Sequence, residues 1–236
     1  MSQTLLFVYP TPFNPIAGGV ERVTDLLTKG FVARGYRVLY LHHVHKETLM
    51  DYDYPAPIYF FPNSEYHSQE NVEFYHKFIE EHKVGIIINQ CGLFEDSILY
   101  LNIGHNKCKT ISVLHCNPML NYEYLASEEL ILKELSVKGW LKLFARFILY
   151  PKIKSTYLSS RKRQYDYLFS NTDKVCLLSD SHVLEFDKYF PQYDKSKIVS
   201  IANPNTFLPL QCKKKKQLLY VGRLDRGQKR PDRLLK

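Results

Sequence analysis

Cysteine, acidic charge over one long stretch, and extended apolar runs are all scarce in this chain. Its five cysteines, Cys91, Cys108, Cys116, Cys176 and Cys212, form an odd set with no Cys-x-x-Cys pair. That argues against a disulfide framework and for a reduced, cytoplasmic setting, and at least three of them sit in or beside apolar runs that read as buried strands. No window approaches the ~18 consecutive apolar residues of a membrane span. Leu5 to Tyr9 is too short for a secretory h-region and runs straight into prolines. The expectation is a chain neither exported by that route nor integral to a membrane.

Acidic residues almost vanish between Lys133 and Tyr165, where Glu134 faces nine lysines and arginines. The net charge of +8 therefore belongs to this one segment. Such a cluster speaks of partners rather than fold: anionic lipid, nucleic acid or an acidic ligand. No nucleic-acid-binding motif accompanies it, so nucleic acid is not expected as a partner. Lys138, Lys142 and Arg146 repeat at four-residue spacing, and Trp140, Leu141, Phe144, Phe147 and Ile148 cover much of the rest of that helical pattern. Two arrangements fit. A basic amphipathic helix can lie in a membrane interface, or it can bury its apolar side in the core and leave its charges in water.

What is present is enough for a sizeable core, with 45% apolar residues in 236. The length allows one large α/β unit or one domain and a piece of another. Apolar runs at Gln3–Tyr9, Arg37–His42, Ile58–Phe61, Val84–Asn89, Lys109–His115, Lys174–Leu178 and Lys197–Ala202 read as strands. Helical patterns lie between them: Gly19–Arg34, with Val20, Val23, Leu26, Leu27 and Phe31 on one side; Gln69–His82; Gly92–Ile103; Asn121–Tyr150, broken by Gly139 and stopped by Pro151; Ser155–Ser170; and Ser181–Tyr189. The alternation predicts a doubly wound, mostly parallel sheet.

The chemistry concentrates at strand-to-helix junctions. Gly18-Gly19 joins the first strand to the first helix, where a chain without Cβ atoms lets a ligand approach the free N–H groups of the helix's first turn. Gly-Gly after a Pro-rich loop is also ordinary turn chemistry. A second junction, Val221 to Asp232, sets Arg223 at a strand end and Lys229 at the mouth of the next helix, a pair suited to a pyrophosphate. Between the two, Lys213 to Lys216 reads as a solvated linker.

In this order and spacing, Gly18-Gly19-Val20-Glu21-Arg22, His115 after an apolar strand, Leu178-Ser179 opening a helix, Asn203-Pro204, and Gly222-Arg223-Leu224 with Lys229 resemble the GT-B glycosyltransferases of family 4. The resemblance covers essentially the whole chain. It implies an N-terminal, acceptor-side Rossmann-like domain over residues 1–208, and over 209–236 a linker with the truncated start of a nucleotide-sugar-binding domain. It further implies sugar transfer with retained configuration, from a nucleotide-diphosphate sugar to an acceptor hydroxyl on a surface glycan or glycolipid, without a bound metal or cofactor.

On that resemblance Gly18 and Gly19 lie beside the donor diphosphate and Arg223 and Lys229 on its oxygens, while His115 contacts the donor sugar rather than acting as a general base. The family's paired glutamates, seven residues apart in the second domain, have no counterpart before Lys236, so weak or no turnover is expected of these 236 residues alone. The rival reading is a non-catalytic module docking on a membrane or polyanion through residues 133–165, with Lys138, Trp140, Lys142 and Arg146 as contacts at the inner face of the membrane.

Three further patterns carry little. Asp51-x-Asp53 lies in a Tyr/Pro loop, His42-His43 and His45 lack a partner at metal-ligand spacing, and Ser179-Asp180-Ser181-His182 reads as a helix N-cap rather than a triad.

Overall fold

The computed structural model describes residues 3–66, 68–92, 108–119, 130, 132 and 135–204. The chain divides into two compact units, Met1–Pro118 with Arg163–Pro204, and Met119–Lys162 with Asn205–Lys236. The first unit is a seven-stranded, wholly parallel sheet: β1 (Thr4–Val8), β2 (Arg37–His42), β3 (Ile58–Phe60), β4 (Val84–Asn89), β5 (Lys109–Leu114), β6 (Lys174–Leu177) and β7 (Ile198–Ser200). The strand order is β3-β2-β1-β4-β5-β6-β7, a doubly wound, Rossmann-like arrangement that reverses direction between β1 and β4.

Burial on both faces explains why the strands read as unbroken apolar runs. Along β1, Leu6 and Val8 join Leu39, Leu41, Ile87 and Phe78 on one side. Leu5 and Phe7 join Val38, Tyr40, Ile88 and Phe13 on the other. Helices α1 (Gly19–Ala33), α2 (Glu47–Met50) and α3 (Gln69–Glu81) separate the first four strands. Ser68 caps α3 by accepting from the Asn71 N–H at 3.2 Å.

Two expectations need correction. In α1 the buried residues are Glu21, Thr24, Asp25 and Thr28, a face next to the apolar one, while Leu27 is exposed, Val20, Val23 and Leu26 are half-buried and Phe31 packs against the core. The cause is a polar bed beneath the helix. Tyr52 donates its hydroxyl to Asp25 at 2.9 Å and Lys29 meets the other carboxylate oxygen at 2.9 Å, so a buried acid is paired on both oxygens.

Pro151 does not stop a helix either. One helix, α4, runs from Val137 to Ser170 with Pro151 inside it. The missing proline N–H deprives the Phe147 carbonyl of its helical donor. Residues 147 and 151 both lie on the water-facing side of α4, where solvent can supply that bond. Of the expected helix over 92–103 the described residues include only Gly92, which forms a turn; the rest of it, and the linker and second junction after 204, lie outside the described residues.

The last turns of α4 and the helix α5 (Asp180–Tyr189) carry an aromatic cluster. Tyr165 is fully buried, with ring centroids 4.9 Å from both Phe186 and Phe190. Its hydroxyl donates to the Pro118 carbonyl at 3.0 Å, which fixes the segment following β5.

Candidate functional site

Ligands of doubly wound sheets bind outside the carboxyl ends of the strands, at the point where the strand order reverses. Here that point is the end of β1 beside the end of β4, with Val8 in register with Asn89. The residues immediately beyond are Tyr9 and the loop to Gly18-Gly19, then Gln90-Cys91-Gly92, and after β5 His115 to Asn117.

Each of these segments is held by specific bonds. The loop after β1 is packed down by Phe13, which has no exposed surface, and whose ring lies 5.3 Å from Tyr9, 5.0 Å from Tyr40 and 4.9 Å from His42. His42 Nδ1 donates to the Tyr9 carbonyl at 2.9 Å, and the Asn14 amide donates to the Leu49 carbonyl at 3.1 Å. After β4, the Asn89 side-chain Oδ1 accepts from the Cys91 N–H at 2.9 Å while its Nδ2 donates to the Ser112 hydroxyl at 3.0 Å. Gly92 then takes φ +66°, a left-handed conformation that favours glycine in this tight turn. After β5, Asn117 donates to the Glu185 carboxylate on α5.

Within this frame His115 Nε2 meets Gln90 Oε1 at 2.5 Å. A carboxamide oxygen only accepts, so Nε2 carries the ring proton and Nδ1 is an acceptor. Burial lowers the His115 pKa to about 4, which keeps the ring neutral at pH 7. Gln90 is buried, and among the described residues its amide nitrogen has no hydrogen-bond partner. A buried donor without an acceptor is costly and is what a polar ligand group would satisfy.

The Gly18 junction is already occupied. A Cβ at Gly18 would lie 2.5 Å from Glu21 Oε2, so the glycine leaves the room that this carboxylate uses. Burial raises the Glu21 pKa, an effect partly offset by its own backbone N–H. Burial, and then the Glu21 charge, raise the Tyr9 hydroxyl to about 12. Glu21 therefore occupies the helix mouth much as a bound anion would. At Gly19, by contrast, a Cβ would meet nothing within 4 Å.

No protein-family model matches the sequence, and no match is found among curated proteins. Among solved structures the chain is similar to a glycosyltransferase from Rickettsia africae ESF-5, with a TM-score of 0.46 and 18% identity over 85% of this chain. It spans 43% of that protein's length.

Of the residues singled out in the sequence, Gly18 and Gly19 close the loop that follows β1, and His115 directly follows β5, with β4 between those two strands. Lys138, Trp140, Lys142 and Arg146 lie on α4, whereas Arg223 and Lys229 lie outside the described residues. Residue type alone does not mark Gln90 or Glu21 as site residues. Asn89-Gln90 after the run Ile86 to Ile88 was the available signal for the first, because a carboxamide directly past a buried parallel strand sits at the ligand-binding edge. Among the described residues no three His, Cys, Asp or Glu side chains gather as a metal site. His42 packs among Phe13, Tyr40 and Phe60 instead.

The buried imidazoles have a measurable consequence. Burial lowers His42 to about 3 and His115 to about 4, both below the ~6.5 of an unfolded chain. Under acid the unfolded state then binds protons that the folded state refuses. Stability should fall as pH drops from about 6.5 toward 4, by up to about 1.4 kcal/mol per pH unit for each group. Denaturant midpoints across that range test this, and His42→Phe should flatten the slope.

Proposed function

We propose that this chain forms the acceptor-side half of a retaining, metal-independent glycosyltransferase of family 4 type. It would move a sugar from a nucleotide-diphosphate sugar to an acceptor hydroxyl in glycan or glycolipid synthesis. The observation that carries the reading is the bond between a neutral His115 and Gln90, whose amide nitrogen has no partner among the described residues, beyond the carboxyl ends of β5 and β4 beside the strand-order reversal. The motif resemblance supports it independently of that geometry.

In this reading His115 Nδ1 accepts from a sugar hydroxyl, and the Gln90 amide donates to another sugar oxygen. The donor diphosphate takes the helix mouth as Glu21 swings away, and Arg223 and Lys229 offset the charge that grows on it as the glycosidic C–O bond breaks. The acceptor oxygen bonds to the anomeric carbon, and its proton leaves with the diphosphate.

The test is acceptor-dependent release of nucleoside diphosphate from a panel of nucleotide sugars by the protein of the complete reading frame. The product's anomeric configuration should match the donor's, and EDTA should leave the rate unchanged. Absence of release from every donor, together with no rise in melting temperature at saturating nucleoside diphosphate, would refute the reading.

A further inference from the structure

The apolar side of α4 is turned outward. Val137, Trp140, Leu141, Phe144, Phe147 and Ile148 are between 59% and 79% exposed. At 100° per residue they fall on one stripe about 120° wide. The residues of this stretch that are buried or half-buried, Gly139, Leu143, Tyr150, Ile153 and Tyr157, lie on a different side. A helix placed only for water would have the reverse orientation, and a contiguous apolar surface of this kind marks an interaction site.

The charge beside the stripe identifies the partner. Residues 135–165 contain eight lysines and arginines and no acid. Lys138, Lys142 and Lys152, all exposed, run along one flank of the stripe. Among the described residues no helix is long and apolar enough to cross a membrane. About three turns of apolar side chains next to a cationic flank match an anionic bilayer surface, with the helix in the plane and the stripe inserted about 5–10 Å into the interface.

We propose that the 137–152 segment of α4 docks the protein on an anionic phospholipid membrane. A membrane supplies apolar contact and negative charge together, whereas a protein partner would need an acidic surface of matching length. This inference stands independently of the proposed transfer reaction.

Trp140 is the only tryptophan in the chain, so its fluorescence reports on this face alone. Mixed phosphatidylglycerol/phosphatidylcholine vesicles should shift its emission to the blue, and brominated lipid should quench it. Pure phosphatidylcholine should do neither, and high salt should weaken the effect. Phe144→Glu should abolish partitioning. The triple change Lys138→Gln, Lys142→Gln and Lys152→Gln should weaken it roughly a hundredfold, at about fivefold per charge. All four positions are exposed, so unchanged far-ultraviolet circular dichroism and melting are expected. Emission indifferent to anionic vesicles, or partitioning unaffected by Phe144→Glu, would overturn the proposal. So would a concentration-dependent blue shift without lipid and with no lipid response, which would mean that the stripe meets a second copy of the chain.

Discussion

Replacing His115 with Ala is expected to slow the proposed transfer by about 10²–10³-fold, the range seen when one polar group facing a transition state is removed. Several features set that scale. The ring stands at the end of β5, its Nε2–H is engaged by Gln90 at 2.5 Å, and its position is fixed on either side by the strand and by the Asn117–Glu185 bond. Nδ1, the ring's acceptor, is the atom that would meet substrate. Gln90→Leu should lower the rate too, because it removes both the acceptor that sets the tautomer and the unsatisfied buried donor.

The pH profile separates this role from general-base catalysis. Since burial brings the His115 pKa down to about 4, the ring is neutral from pH 5.5 upward, and the group should contribute no inflection to kcat/KM between pH 5.5 and 8. A catalytic base titrating near 6.5 would produce one. A wild-type inflection near pH 6.5 that disappears in His115→Ala would refute the substrate-contact role. An activity of His115→Ala within fivefold of wild type would refute any direct role at all.

The strands were legible because burial on both faces demands consecutive apolar side chains, and turn residues bound each run. Arg37–His42 and Val84–Asn89 are found over the expected residues. Helix faces were less legible. In α1 the apolar residues Val20, Val23 and Leu27 predict a face that the structure does not bury, since Asp25 finds Tyr52 and Lys29 from positions distant in sequence or on the next turn. Local periodicity carries no record of such partners.

Pro151 misled for a related reason. Its cost depends on whether the orphaned carbonyl faces solvent, which composition does not reveal. At the candidate site, glycines and a histidine at strand ends stand out by residue type. Gln90 and Glu21 do not, because their significance comes from what they lack or occupy in space: a missing acceptor for one, the helix mouth for the other.

Phe13→Ala is expected to cost about 3–5 kcal/mol, as large aromatic truncations in close-packed cores do. Phe13 lies outside any strand or helix, in the Pro-rich loop, yet it has no exposed surface. It packs edge-on against Phe7 and Tyr40, stacks on Tyr9 and touches His42. It therefore ties the loop to the sheet face that α1 covers, and the loop leads directly into Gly18-Gly19. Truncation opens a cavity among four rings that are themselves anchored, so the surroundings can relax only partly. Phe13→Leu, which keeps more of the volume, should cost less.

Because the same loop carries the helix mouth, Phe13→Ala should also weaken any nucleoside diphosphate bound there, by more than a surface substitution such as Ile16→Ala, which removes an exposed side chain from the same loop. Guanidinium unfolding at unchanged m-value measures the first effect, and the ligand-induced shift in melting temperature measures the second. A loss of stability below about 1 kcal/mol would mean that the loop is not anchored through this ring. A full loss with diphosphate binding unchanged would mean that the helix mouth is held by other contacts, of which the His42–Tyr9 and Asn14–Leu49 bonds are the next to remove.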